Sequence, residues 1–197
     1  MNRGKQIPDL LPLTPLRLFV YGTLKRGFHN HRFVVQASAI QPAWTWGRLW
    51  HLHAGFPALE VPDQCIIARA SDRPRRDARV QAMTPPDEFP GGKPVGDWDL
   101  VSGEVVTLTD PDVDLPPIDR LEGFRSAAAR NLYDRVLVTV WLQDGGLEPV
   151  TAWTYDGRQL PGRLGRCTEW PPAEPSLTKP PPINRRRILT APLYDVY

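Results

Sequence analysis

Cysteine and long apolar runs are both scarce in this 197-residue chain. Cys65 and Cys167 are its two cysteines; they lie far apart and match no metal or redox spacing. One disulfide could join them, but two unpaired thiols in a reducing compartment are the favoured interpretation. No apolar run approaches the roughly 18 residues of a membrane span, and no apolar stretch follows the basic N-terminus as in a secretory signal. These absences predict a cytoplasmic protein without a membrane segment.

The chain also lacks a charge excess of either sign. Its 24 Lys and Arg nearly balance its 22 Asp and Glu, which argues against a nucleic-acid-binding protein. The basic runs at 73–79 and 185–187 have no interleaved aromatic residues, so they are interpreted as solvated loop charge rather than as a stacking platform. No nucleic-acid or membrane partner is predicted.

Histidines occur in two pairs, but neither pair has the additional ligands that a metal site needs. His29 and His31 are separated by one residue, as are His51 and His53. No Cys, Asp or Glu stands at a diagnostic spacing from either pair. No metal site is predicted.

Proline divides the chain. Its 23 prolines are about twice the usual share, and they cluster in the first dozen residues, between 62 and 94, and from 161 onward. We therefore predict a polar leader over 1–15, one domain over 16–157 with an inserted loop at 62–99, and a Pro/Arg-rich extension over 158–197.

The rest of the domain reads as a mixture of strands and short helices. β-Branched and aromatic runs predict strands at 16–21, 43–53, 101–109, 133–143 and 150–155. Short helices are predicted at 28–38, with Asn30 as N-cap, and at 117–124, ended by Gly123. The pattern predicts an α+β domain.

The first strand runs directly into a glycine turn, and this junction is the most informative part of the chain. Residues 19–27 read Phe-Val-Tyr-Gly-Thr-Leu-Lys-Arg-Gly. Gly22 can adopt a positive φ or allow close approach to the main chain. The outward N–H groups of such a turn bind a carboxylate or an oxyanion. The turn therefore predicts an anion site.

The order Tyr-Gly-Thr-Leu-Lys-Arg-Gly resembles the opening motif of the γ-glutamylcyclotransferase-like family, which includes γ-glutamylamine cyclotransferases and avirulence-induced plant proteins. Four further segments resemble family motifs in the same order, over about residues 16–157. They are Gly-Arg-Leu-Trp at 47–50 with Gly-Phe-Pro-Ala-Leu at 55–59, Ser-Gly-Glu-Val-Val at 102–106, Ile-Asp-Arg-Leu-Glu-Gly-Phe at 118–124, and Leu-Tyr-Asp-Arg-Val at 132–136.

The resemblance implies a small mixed β-barrel with flanking short helices and a metal-independent site without a cofactor. Glu122 falls on the family's catalytic acid/base, with Glu104 as a rival carboxylate. The α-carboxylate of the substrate is expected at the turn, and two further residues are expected to line or brace the site. The expected substrate-binding residues are Tyr21, Gly22, Thr23, Leu24, Tyr133 and Arg135.

The implied reaction is the cyclisation of a small-molecule γ-glutamyl substrate. Its α-amine attacks its own side-chain carbonyl, which releases 5-oxoproline and an amine or amino acid. The Thr-Leu-Lys-Arg-Gly segment resembles the γ-glutamylamine branch of the family more than the glutathione-specific branch. Two alternatives stay open: a non-catalytic binding module on the same barrel, and a tailoring enzyme that removes γ-glutamyl groups in biosynthesis. The sequence leaves the amine and the oligomeric state undetermined.

Overall fold

The computed structural model describes residues 13–86, 93–126, 130–144, 146 and 148–172. The first twelve residues of the predicted leader and residues 173–197 of the predicted extension lie outside this description. Within it the chain forms an α+β fold, as predicted. Its strands are β1 (Leu16–Val20), β2 (Ala39–Leu52), β3 (Pro57–Glu60), β4 (Ala68–Arg69), β5 (Asp99–Leu108), β6 (Asp134–Leu142), β7 (Glu148–Asp156) and β8 (Arg163–Cys167); its helices are α1 (Pro74–Met83) and α2 (Pro111–Leu121), with 3₁₀ turns at His29–Phe33 and Asp63–Cys65.

Five strands close into a barrel in the order β2-β5-β1-β7-β6, and pairing of β6 with β2 completes the circle. The β1–β7 pair is parallel and the other pairs of the barrel are antiparallel, so the barrel is mixed. The second half of the long strand β2 extends beyond the barrel and pairs with β3 and β8. The predicted mixed β-barrel is therefore confirmed.

Two apolar cores lie on either side of the barrel wall. Strand alternation sends Phe19, Val105 and Val138 into one core and Leu18 and Trp153 into the other. The second core also receives apolar side chains of the two helices, namely Ala78, Leu115 and Ile118. This packing holds both helices against the wall, and the C-terminal end of α2 lies beside the end of β1.

Helix α2 begins six residues earlier than the sequence predicted. The Asp110 side chain accepts a hydrogen bond from the Asp112 backbone N–H, and Pro111 occupies the first turn, a favoured arrangement for a helix N-terminus. Pro116 and Pro117 lie inside the helix. Their missing N–H groups would have bonded to carbonyls of exposed residues, where water can take their place.

Three other local expectations need correction. The 28–38 helix is reduced to a 3₁₀ turn, and Asn30 lies inside it rather than at its N-cap. Residues 62–99 are not a continuous loop, because α1 buries Asp77, Ala78 and Gln81 on one face. The Pro/Arg-rich composition of the extension predicts irregular chain, but its residues 163–167 form a sheet strand. Neither described α-helix has the length and apolarity needed to cross a membrane.

Candidate active site

A cavity of about 400 Å³ opens at one end of the barrel. Its walls are the end of β1 with the following turn, the 3₁₀ turn, the hairpin before β3, the C-terminal end of α2, the residues just before β6 and the end of β7. The lining residues are Phe19, Val20, Tyr21, Gly22, Thr23, Leu24, His29, Asn30, Ala54, Gly55, Phe56, Pro57, Leu121, Glu122, Leu132, Tyr133 and Tyr155. Five of the six residues predicted to bind substrate and the predicted acid/base therefore line one space.

The turn after β1, which we call the β1 loop (residues 21–24), is held close to the hairpin before β3. A Cβ on Gly22 would lie 2.7 Å from Cγ of Pro57. Gly22 does not have a positive φ, so close approach is the reason for the glycine. Asn30 Nδ2 donates to Thr23 Oγ1 at 2.9 Å and holds the loop from its other side.

The β1 loop presents backbone donors that are not used by the fold. Lys25 N donates to Gly22 O at 3.1 Å, which closes the turn. Across the described ranges, the N–H groups of Gly22, Thr23 and Leu24 donate to no acceptor. Successive free N–H groups in a turn form a concave anion site. The loop can therefore bind a carboxylate or stabilise an oxyanion.

Glu122 follows the last residue of α2 and extends along the cavity wall. Gly123 ends the helix with φ of +64°, and its neighbour across the turn is Leu132. Glu122 is half-buried, and its pKa is raised from 4.5 to about 7. Burial is the larger cause, and the negative charge of Asp119 is the smaller one. A carboxyl group with a pKa near neutrality can both accept and donate a proton at working pH.

Three tyrosines form much of the remaining wall, and their hydroxyls are already engaged. Tyr21 donates to the Tyr155 carbonyl at 2.7 Å, and Tyr133 donates to the Pro57 carbonyl at 2.8 Å. Tyr155 donates to Asp119 Oδ1 at 2.7 Å. Burial raises the pKa of all three phenols. They therefore stay neutral and shape the cavity rather than act as bases.

Arg135 lies behind the cavity instead of in its wall. Its side chain is fully buried, and it pairs with Asp77 Oδ2 at 2.9 Å and with Asp119 Oδ1 at 3.2 Å. The sequence predicted that Arg135 would either line the site or brace it. Its buried position behind the cavity is incompatible with direct substrate contact and is compatible with bracing. Asp119 in turn accepts the hydrogen bond of Tyr155, so Arg135 is linked to the wall through one residue.

The charged residues next to the β1 loop face away from the cavity. Lys25 Nζ pairs with Glu169 at 3.6 Å. Glu104, the rival carboxylate, accepts from the backbone N–H of Arg26 at 2.9 Å and from its Nε at 3.0 Å. None of them lines the cavity. Glu122 is thus the carboxylate that the described lining residues contribute.

Several lining residues were not among the residues predicted to bind substrate. His29 and Asn30 are close to the β1 loop in sequence, and the hydrogen bond of Asn30 to Thr23 could have been suspected from that spacing. Ala54, Phe56 and Leu121 give no chemical signal, since they are placed by the β2–β3 hairpin and by α2. Among the described residues, no three His, Cys, Asp or Glu side chains gather as a metal site would require.

A family model and several solved structures match this chain. The family model described as Gamma-glutamyl cyclotransferase, AIG2-like matches residues 18–72 and 62–170. No curated protein gives a significant match. The chain is similar to three solved structures, with TM-scores of 0.40 to 0.41: YkqA from Bacillus subtilis, an AIG2-like protein from Mus musculus and an uncharacterized protein from Pyrococcus horikoshii.

The extent of similarity differs among these structures. Identity is 21% to YkqA, 18% to the mouse protein and 16% to the archaeal protein. The matches cover 71%, 75% and 78% of this chain, and 35%, 80% and 86% of the respective structures, so this chain spans about a third of YkqA. The two overlapping parts of the family match together cover residues 18–170. The chain belongs to the γ-glutamyl cyclotransferase, AIG2-like family, as its motifs predicted.

Proposed function

We propose that this protein is a γ-glutamyl cyclotransferase with Glu122 as its general acid/base. The observation that carries the proposal is the position of Glu122: a carboxyl group with a pKa of about 7 lines the same cavity as the unused N–H groups of the β1 loop. Family membership supports a cyclotransferase-like activity.

The γ-glutamyl unit would bind with its α-carboxylate at the N–H groups of Gly22, Thr23 and Leu24. Tyr21, Tyr133 and Tyr155 would enclose the carbon chain, since their rings line the cavity. This arrangement folds the unit so that its α-amine approaches its own Cδ. The nucleophile and electrophile belong to one molecule, so the cavity need only select the reactive conformation.

Glu122 would then carry the proton through the reaction. Its carboxylate removes a proton from the α-ammonium group, and the freed amine forms a bond to Cδ. When the tetrahedral intermediate collapses, the bond from Cδ to the departing nitrogen breaks and that nitrogen takes the proton from Glu122. The regenerated carboxylate takes the second proton from the ring nitrogen, which becomes the lactam N–H, and passes it to the departing amine, which leaves as an ammonium ion. The products are 5-oxoproline and a free amine or amino acid, and the step balances without water or another co-reactant.

The test is release of 5-oxoproline from γ-glutamyl-ε-lysine, γ-glutamyl-alanine and glutathione. Wild-type protein is compared with Glu122→Gln and with Glu148→Gln, a matched change at an exposed strand residue outside the cavity. We expect release that Glu122→Gln reduces at least 100-fold and Glu148→Gln leaves unchanged, within the usual range for a general acid/base.

Wild-type turnover in a folded Glu122→Gln variant would exclude Glu122 as the proton carrier. No release from any of the three compounds by folded wild-type protein would favour the binding module, or a tailoring enzyme with a larger substrate. Binding of the same compounds, measured by calorimetry, would then separate these two alternatives. Binding without release would favour the binding module. Absence of binding would favour the tailoring enzyme, which is expected to need more than the γ-glutamyl unit for affinity.

A further inference from the structure

Helix α1, from a segment without a family motif, carries a buried carboxylate to the barrel wall. Asp77 is 2% exposed. Its oxygens accept from Ser71 N at 3.0 Å, from Ser71 Oγ at 2.8 Å and from Arg135 NH2 at 2.9 Å. Aspartate is almost never buried to this degree unless it is paired. The position of Asp77 therefore depends on Arg135 of β6.

Arg135 is shared between two carboxylates. Besides Asp77 it pairs with Asp119 of α2 through Nε at 3.2 Å. Its guanidinium also lies 5.0 Å from the ring centre of Phe124 and 5.6 Å from that of Trp153, so it is enclosed by protein. Two carboxylates around one guanidinium leave one formal negative charge in a region of low dielectric, where charges interact strongly.

Asp119 connects this cluster to the cavity. It lies three residues before Glu122 at the end of the same helix, a spacing that places two side chains on one face. The Tyr155 hydroxyl and Arg135 fix its carboxylate. Other ionisable groups near Glu122 are Tyr21 and Tyr155 of the barrel wall, Tyr133 before β6 and His29 of the 3₁₀ turn, all of which line the same cavity.

We infer that Asp119 and Asp77 are positioning residues that control the proton affinity of Glu122. Asp119 acts directly as a neighbouring negative charge. Asp77 acts through Arg135: because it neutralises the guanidinium from the far side, the charge of Asp119 is not cancelled and remains effective at Glu122. The direction agrees with the contribution that Asp119 makes to the raised pKa of Glu122. The consequence for turnover rests on the proposed function, but the charge coupling does not.

The coupling is tested by titrating Glu122 directly. Carboxyl ¹³C resonances of glutamate are followed against pH, and the resonance missing in Glu122→Gln identifies the residue. Removing a neighbouring negative charge favours the ionised form. We expect Asp119→Asn to lower the Glu122 pKa by about one unit, in the range for a close like charge, and Asp77→Asn to lower it by less. Asp112→Asn, an exposed change at the start of α2, should leave it unchanged.

A purely structural role would lower the melting temperature without moving this titration. An unchanged Glu122 pKa in folded Asp119→Asn or folded Asp77→Asn overturns the inference. If Asp77→Asn does not fold, Ser71→Ala replaces it, since that change removes one hydrogen bond from the Asp77 carboxylate and leaves Arg135 in place. It should give a smaller downward shift, and no shift would count against the role of Asp77.

The pH profile of 5-oxoproline release supplies a second readout. The limb of this profile that reports the ionisation of Glu122 should move to lower pH in Asp119→Asn and in Asp77→Asn. The size of the move should equal the shift of the Glu122 pKa seen in the titration. If wild-type protein releases no 5-oxoproline, the proposed function fails while the titration still decides the charge coupling. A limb that stays in place while the titration moves would show that another group controls turnover.

Discussion

At the scale of single residues, the chemistry of Glu122 is set by its surroundings rather than by its type. A solvated helix-end glutamate would be ionised at neutral pH. Here burial and the charge of Asp119 raise its pKa to about 7. Sequence motifs predicted Glu122 as the candidate acid/base, because it lies in the Leu-Glu-Gly segment that ends α2. They could not predict its pKa, since Asp119 is held by Arg135 and Tyr155, 16 and 36 residues away in the chain.

The raised pKa predicts a pH-dependent cost to stability. Below about pH 4.5 Glu122 is protonated in both the folded and the unfolded chain. Between about pH 4.5 and 7 the folded state keeps a proton that the unfolded state has released, so stability falls as pH rises. Glu122→Gln removes this loss. We expect the variant to exceed wild type by about 3 kcal/mol in unfolding free energy at pH 8 and to equal it at pH 4.

Urea unfolding of both proteins at the two pH values measures this difference. Glu148→Gln, at an exposed position, should show no comparable gain at pH 8. A Glu122→Gln variant that is no more stable than wild type at pH 8 would mean that Glu122 is ionised at no cost in the folded protein.

At the scale of elements, β8 and the residues after it support the β1 loop from outside the cavity. Trp170 is 7% exposed, its Nε1 donates to His51 Nδ1 at 3.1 Å, and its ring centre lies 5.1 Å from that of Phe28. Glu169 pairs with Lys25. These contacts hold the chain just beyond the β1 loop. Proline content predicted an irregular extension. Composition could not predict β8, because it does not show that β2 has a free edge with which β8 can pair.

Replacing Trp170 should therefore weaken both the fold and substrate binding. Trp170→Ala is expected to cost about 3 kcal/mol in unfolding free energy, as for a buried Trp, and to raise the KM of a cyclised substrate several-fold while kcat changes less. Urea unfolding and steady-state kinetics measure these two effects. Trp98→Ala is the matched control, because that half-buried ring stacks on Arg48 instead, at 4.1 Å.

The control variant should keep the wild-type KM. If Trp170→Ala lowers stability and leaves KM unchanged, β8 stabilises the barrel without supporting the β1 loop.

At the scale of the whole molecule, a narrow barrel constrains what its interior can hold. A Cβ on Gly103 of β5 would lie 2.5 Å from the Val20 carbonyl oxygen and 2.6 Å from Cζ of Phe19. Ala43 and Ala152 contribute further small side chains to the same core. These small residues allow β1, which leads into the β1 loop, to lie close to its neighbours.

Gly103→Ala should therefore be destabilising through overpacking. We expect a loss of about 1–3 kcal/mol, measured by thermal and urea unfolding. Gly165→Ala in β8 is the matched control, because nothing lies within 4 Å of the added methyl group, and it should be within about 0.5 kcal/mol of wild type. Equal stability of the two variants would show that the wall adjusts at Gly103 without cost.

The sequence by itself determined the family, the order of the barrel strands along the chain and the positions of the β1 loop and of Glu122, the candidate acid/base. These features depend on local patterns: alternation in strands, a glycine turn after β1, and a helix ended by Gly123. The tertiary structure alone decided where α1, β8 and Arg135 lie. Each position depends on contacts between residues far apart in the chain, such as Asp77 with Arg135 across 58 positions, and neither pattern nor composition specifies which buried charges will meet.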